Sequence, residues 1–168
     1  MLIMPGYVME MAAHNTWQNG VVFGLVDPLD DRERRRERGM FFGSIHHTLD
    51  HIAAIDRWIL EVLDGAEPWR FDMKEIIHAG WAELKTERER LDERIRKLGD
   101  RVDQAWLDAV IEFDSSVFGR IRKIPRGLYV TQMFSHQTHH RSQVFSELWR
   151  MGIDYGGTDI PFRPDSPY

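Results

Sequence analysis

The chain has 168 residues and no cysteine. It is long enough for one domain with a core of its own, and disulfides, thiolate metal ligands and a cysteine nucleophile are excluded. Net charge is −5, and the arginines alternate with acids, which argues against the basic face of a nucleic-acid binder.

Residues 1–13 lack a basic n-region, and Glu10 interrupts their apolar run, so no secretory leader is expected. No apolar stretch approaches the ~18 residues of a membrane helix, and a cytoplasmic location fits the lack of cysteine. Residues 5 to about 26 read as a first long helix, ended by Asp27-Pro28. Residues 30–38 are a charge run, read as a solvated helical turn or connector. Residues 41–63 form a second long helix. Ile45, Leu49, Ile52 and Ile59 make its core stripe with Asp56 in line, and Thr48, His51, Ile55, Trp58 and Val62 lie beside it. Gly65 and Pro68 end it.

A third long helix is expected from Asp72, a plausible N-cap, to about Leu98, with Gly99 as its stop. Its second half, residues 85–97, is almost entirely charged and reads as an exposed flank. Residues 110–113 and 118–124 could pair as a short hairpin around Asp114-Ser115-Ser116. Pro125 or Gly127 opens a fourth long helix that runs to about Met151, with Gly152 as the stop. Residues 154–168, rich in glycine and proline, read as a tail laid on the rest. No internal repeat is visible, and residues 1–168 read as one domain. The class is all-α: a four-helix bundle with a long connection between its third and fourth helices.

Chemistry concentrates in the eight histidines. His136 and His140 are four residues apart, which on a helix is a rotation of about 40° and a rise of about 6 Å, so they share a face. They fall in the largely apolar row Tyr129, Met133, His136, His140, Val144, whereas His139 falls in the polar row Gln132, Ser135, Ser142, Ser146. On the second helix His51 lies between Thr48, Ile55 and Trp58, while His47 lies in the polar row Asp50, Ala54, Arg57, Glu61. Phase therefore selects His51, His136 and His140 as one three-histidine metal site with an open position, suited to zinc, nickel or iron. Two other readings stay open: a site that includes His47, and a metal-free network of hydrogen-bonded core histidines. Gln137 follows His136, so the general base of an H-E-x-x-H protease is missing. Only Glu75-Ile76-Ile77-His78 matches the E-x-x-H of di-iron bundles, and it occurs once.

Two segments carry a resemblance. Phe42-Gly43-Ser44-Ile45-His46-His47-Thr48-Leu49-Asp50-His51-Ile52-Ala53-Ala54-Ile55-Asp56-Arg57-Trp58 resembles the second-helix motif of the DinB family, in the DinB/YfiT-like superfamily. His136-Gln137-Thr138-His139-His140-Arg141-Ser142-Gln143-Val144 resembles its final-helix motif, with Ser135 and Ser142 where Asn and Gly are usual. Asn15-Thr16-Trp17-Gln18-Asn19 matches the family's N-x-W-x-N, and residues 152–162 are similar to its ending. The resemblance implies a four-helix bundle of unusual connectivity, commonly a homodimer. It implies a divalent metal, zinc or nickel with iron or manganese as further options, on His51, His136 and His140. It also implies a metal-dependent enzyme acting on a small molecule, with thiol S-transferase, isomerase or hydrolase chemistry and a low-molecular-weight thiol as a partner. A non-catalytic metal- or ligand-binding stress-response dimer is the alternative. No nucleic-acid or membrane partner and no general base are assigned. Arg141 is read either as an orienter of an anionic substrate group or as a surface ion pair. Asp56 is read either as a carboxylate behind a ligand histidine or as a partner of Asn15 or Trp17. Trp17 and Trp58 are read as core or as pocket wall.

Overall fold

The computed structural model describes residues 2–67, 69–72, 74–115 and 120–166. Helix α1 spans Pro5–Val26, with proline at its first position, where a missing N–H costs nothing. A one-turn helix α2, Asp31–Arg35, is capped by Asp30, whose carboxylate accepts from the Glu33 N–H at 2.8 Å. Helix α3 spans Ile45–Leu63. It starts later than the periodicity predicts, because residues 40–43 form a tight turn and Ser44 supplies the cap. Gly65, at φ +76°, follows its end.

Helix α4 spans Trp81–Arg101, which corrects both expected ends. Asp72 caps only a local turn, accepting from the Lys74 N–H at 2.9 Å. The backbone N–H groups of Ile77 and His78 donate instead to the carboxylate of Asp50 on α3, at 2.7 and 2.9 Å. Those amides are therefore withdrawn from any helical ladder, and the described residues between α3 and α4 run as a connector. Gly99 lies inside α4, where a Cβ would stand 3.2 Å from the Met9 Cα and 3.4 Å from the Ala12 Cβ. It is glycine because α1 and α4 approach closely there.

Helix α5, Gln104–Asp108, leads into strands β1, Val110–Ser115, and β2, Arg120–Pro125, an antiparallel hairpin pairing Ile111 with Ile124. Ser116 and Phe118 of the expected turn and strand lie outside the described residues, as do Pro68 and the last two residues of the tail. Helix α6, Arg126–Arg150, ends before Gly152 at φ +78°. The tail packs back: Tyr155 stacks on Phe145 at 4.7 Å, and buried Arg163 pairs with Glu10 at 3.5 Å.

The four long helices form a ring in the order α1, α4, α3, α6. In that ring α1 stands diagonal to α3 and α4 diagonal to α6, while α3 and α4 are neighbours. The predicted core stripe is buried: Ile45, Leu49, Ile52 and Ile59 meet Leu84, Leu91 and Ile95 of α4 and Met133 and Phe134 of α6 in one cluster. Among the described residues no helix is long and apolar enough to cross a membrane.

Candidate metal centre

The seam between α3 and α6 brings His51, His136 and His140 together, each offering one ring nitrogen within 4.8 Å of the others. The Nε2 atoms of His51 and His136 stand 3.1 Å apart, and ring centroids are separated by 4.5–5.0 Å. Two nitrogens bound at 2.0–2.1 Å to one zinc ion stand about 2.9–3.4 Å apart, a spacing that the His51–His136 pair already has. His47 and His139 are not in the cluster; His139 is exposed and His47 half-buried.

The state of the rings suits ligation. Burial is the main cause that lowers His51 to about pKa 3, reinforced by His136 and His140, and burial then His140 lowers His136 to about 3. His140 is lowered too, mainly by burial and partly restored by Gln143. All three are therefore neutral near pH 7, the form that carries a free lone pair. Gln143 Oε1 accepts from His140 Nδ1 at 3.0 Å, which leaves Nε2 as the free donor. His51 Nδ1 and His136 Nδ1 are buried without a partner. In place of a hydrogen bond, the ring of Phe42 stacks on His51 at 3.9 Å and 28°.

Asp56 and Arg141 take roles different from those expected. Asp56 is fully buried and accepts from Arg88 of α4 at 2.6 Å; neither Asn15 nor Trp17 is its partner. Arg141 is 3 % exposed and donates to Asn19 Oδ1 and Asn15 Oδ1, both at 2.8 Å, so it is neither a surface ion pair nor free to orient a substrate. Asn19 donates in turn to Asp92 Oδ1 at 2.8 Å, and Arg88 Nη2 lies 3.0 Å from the same oxygen. Arg88 and Asp92 thus face inward from the stretch of α4 expected to be an exposed flank. Burial pushes Asp56 up to about pKa 6 against the pull of Arg88, and lowers Arg141 to about 10 with Arg88 adding to the effect. Trp58 is core, packed edge-on against Phe113 and Tyr129. The Asn15 and Asn19 pair of the N-x-W-x-N motif is therefore the clamp on Arg141.

A second cluster was missed by sequence reasoning. His78 Nδ1 meets Asp50 Oδ1 at 2.7 Å, which raises the His78 pKa, and the His78 carbonyl accepts from His46 Nε2 at 2.8 Å. Its job is to hold the connector against α3. On the opposite seam, between α1 and α4, lies a cleft of about 390 Å³ bounded by Gly20, Gly24, Lys85 and Arg88.

The sequence model of the DinB family matches residues 4–167. The chain belongs to the DinB family. Among solved structures this DinB-family chain is similar to a DinB-like protein from Bacillus cereus ATCC 10987, at TM-score 0.59 and 18 % identity over 84 % of this chain and 91 % of that one. It is also similar to YfiT from Bacillus subtilis, described as a probable metal-dependent hydrolase with an unusual four-helix bundle topology, at TM-score 0.60 and 14 % identity over 86 % of this chain and 87 % of that one. At these identities the likeness concerns the fold. No curated protein matches the chain.

Proposed function

We propose that this DinB-family chain holds one divalent metal ion, zinc or nickel, on His51, His136 and His140 and is a metal-dependent enzyme acting on a small molecule. The observation that carries the reading is the convergence of three neutral imidazoles within 4.8 Å, on two helices that meet only in the folded chain. When bound, a divalent ion with an open position brings a coordinated water or thiol toward ionisation at neutral pH. The residues supply the rest. The three histidines give the ion nitrogen ligands and no charge, so its positive charge stays undiluted. Gln143 fixes the tautomer of His140. The seam buries His51 and His140 and leaves His136 half-buried.

Hydrolysis is the reaction class favoured by the description of YfiT; thiol transfer or isomerisation with a low-molecular-weight thiol is the second. A homodimer in the cytoplasm belongs to the same reading. Trp149 and Phe162 stand largely exposed, apolar surface of the kind a second copy covers.

Elemental analysis of tag-free protein tests the metal: about one ion per chain is expected, and near zero in His136→Ala. Panels of esters, amides and thiols with electrophilic acceptors, each run with and without chelator, then test the activity. Turnover that chelator abolishes and added metal restores supports an enzyme. Stoichiometric metal with no turnover in any panel would point to the non-catalytic binding dimer.

A further inference from the structure

Phe42 comes from neither helix of the histidine trio, and the loop that carries it is held at its base. Half-buried Arg38 pairs with Glu147 of α6 at 3.1 Å and with Glu33 of α2 at 2.8 Å. The Arg38 N–H donates to the Gly43 carbonyl at 2.8 Å, and the Gly43 N–H to the Met40 carbonyl at 2.9 Å. Gly39 and Gly43 have φ +68° and +76°, left-handed positions on either side of a three-residue tip. A Cβ on Gly43 would also meet Glu37 Oε2 at 2.7 Å, while Glu37 Oε1 accepts from the Gly39 N–H at 2.7 Å.

The two rings at this tip part company. Phe41 is 80 % exposed. Phe42 turns inward and spans the seam. Its centroid lies 3.9 Å from that of His51 on α3, 5.4 Å from that of His140 on α6 and 5.4 Å from that of His47. An aromatic ring touching ligand candidates on both helices occupies the side of the trio from which the loop covers it. A donor that reaches the three nitrogens from that side meets the Phe42 ring.

We infer that Phe42 is the specificity-determining residue of the site. Slim donors are admitted: a water, a linear anion, or a sulfur or oxygen at the end of an unbranched chain. Ring-shaped or branched donors are excluded. The substrate class that follows is a small acyclic molecule with a terminal donor atom and an aliphatic stem to lie along the Phe42 ring. This rests on the metal reading of the trio.

The test uses the full chain loaded with cobalt(II) and titrated with azide, a slim ligand, and with imidazole, a ring, followed by visible absorption. Phe42→Ala is expected to raise imidazole affinity about tenfold, the equivalent of about 1.4 kcal/mol, and to leave azide affinity within about twofold. Phe41→Ala should match the parent with both ligands. Phe42→Leu keeps an apolar side chain in the loop, so it carries the comparison even where the alanine variant holds no cobalt, with imidazole gaining about threefold. Equal imidazole affinity in parent and leucine variant would overturn the inference, and so would azide and imidazole rising by one common factor. A parent chain that takes up no cobalt would overturn the metal reading and this inference together, whereas cobalt uptake with unselective ligand binding overturns this inference alone.

Discussion

His136 and His140 stand beside Gln137 and Arg141 on α6, one position out of step, and the two pairs obey opposite rules. The step of about 100° turns Gln137 and Arg141 toward the bundle axis and the histidines toward the α3 seam. The axial network sets charge against charge. Two guanidiniums, Arg88 and Arg141, balance two carboxylates, Asp56 and Asp92, and Asn15, Asn19 and Gln137 relay hydrogen bonds between helices. The trio has no charge to set against another. It is three uncharged rings, two of which face each other nitrogen to nitrogen at 3.1 Å. Buried charges that neutralise one another hold a fold together, while uncharged rings with their lone pairs turned toward one another suit the proposed cation.

The largest effect that separates the two regions is on stability. Arg141→Met leaves Asn15 and Asn19 without their shared donor and two carboxylates facing one guanidinium. It should cost about 3–5 kcal/mol, as breaking a buried charge network does, read from urea unfolding with chelator present. His136→Ala should cost far less in the same assay. A loss as large as that of Arg141→Met would mean that the trio is structural.

Metal should reverse the ranking. At a free concentration about a hundred times its Kd, zinc should raise the unfolding free energy of the parent by about 2.7 kcal/mol and that of His136→Ala hardly at all. Equal gains in both proteins would place the ion elsewhere.

Acid should act on the two regions with opposite sign. His51 and His136 are neutral in the fold down to about pH 3 but protonate near 6.5 when unfolded. The unfolded chain then binds more protons, so metal-free stability should fall as pH drops below about 6.5 and keep falling toward 3. Asp56, raised to about 6 from 3.8, binds its proton first in the fold and adds stability as pH falls through that window. Urea midpoints at pH 7.5, 6.0 and 5.0 should therefore fall less steeply in His136→Leu than in the parent. Identical slopes would refute the assignment.

The smallest effect is at Gln143. Gln143→Ala should weaken metal binding about tenfold by releasing the ring of His140, the usual scale for a residue that orients a ligand. His139→Ala, on the same helix and exposed, should leave binding unchanged in the same competition titration.

The histidine trio was legible because helical phase is a local property. Four residues fix the angle between His136 and His140, and the apolar neighbours of His51 fix the face it shares with the seam. The helix ends at Asp72 and Gly99 were not legible, because distant groups decide them. Asp50, on α3, takes the amides that would have extended α4 backward, and α1 makes room for itself at Gly99. The partner of Asp56 was hidden by charge, since Arg88 and Asp92 sit in a stretch that is nearly all polar. One signal was present: Leu84, Arg88, Leu91, Ile95 and Leu98 follow alternating steps of four and three, the spacing of a buried seam, with arginine in one of its places. Phe42 had no periodic signal at all, being in a turn.

The diagonal order of the helices has a kinetic consequence. His51 and His136 are 85 residues apart, and the whole of α4 and the hairpin lies between them. Such a contact is late to form, because a long loop must close before it is made. An ion held on the trio as proposed would thus be a buckle fastened after the strap is in place. It leaves the rate of folding to the apolar core and the axial network, and it acts on the way out, slowing the opening of the α3–α6 seam. An ion held there as proposed would leave and return without the chain being remade.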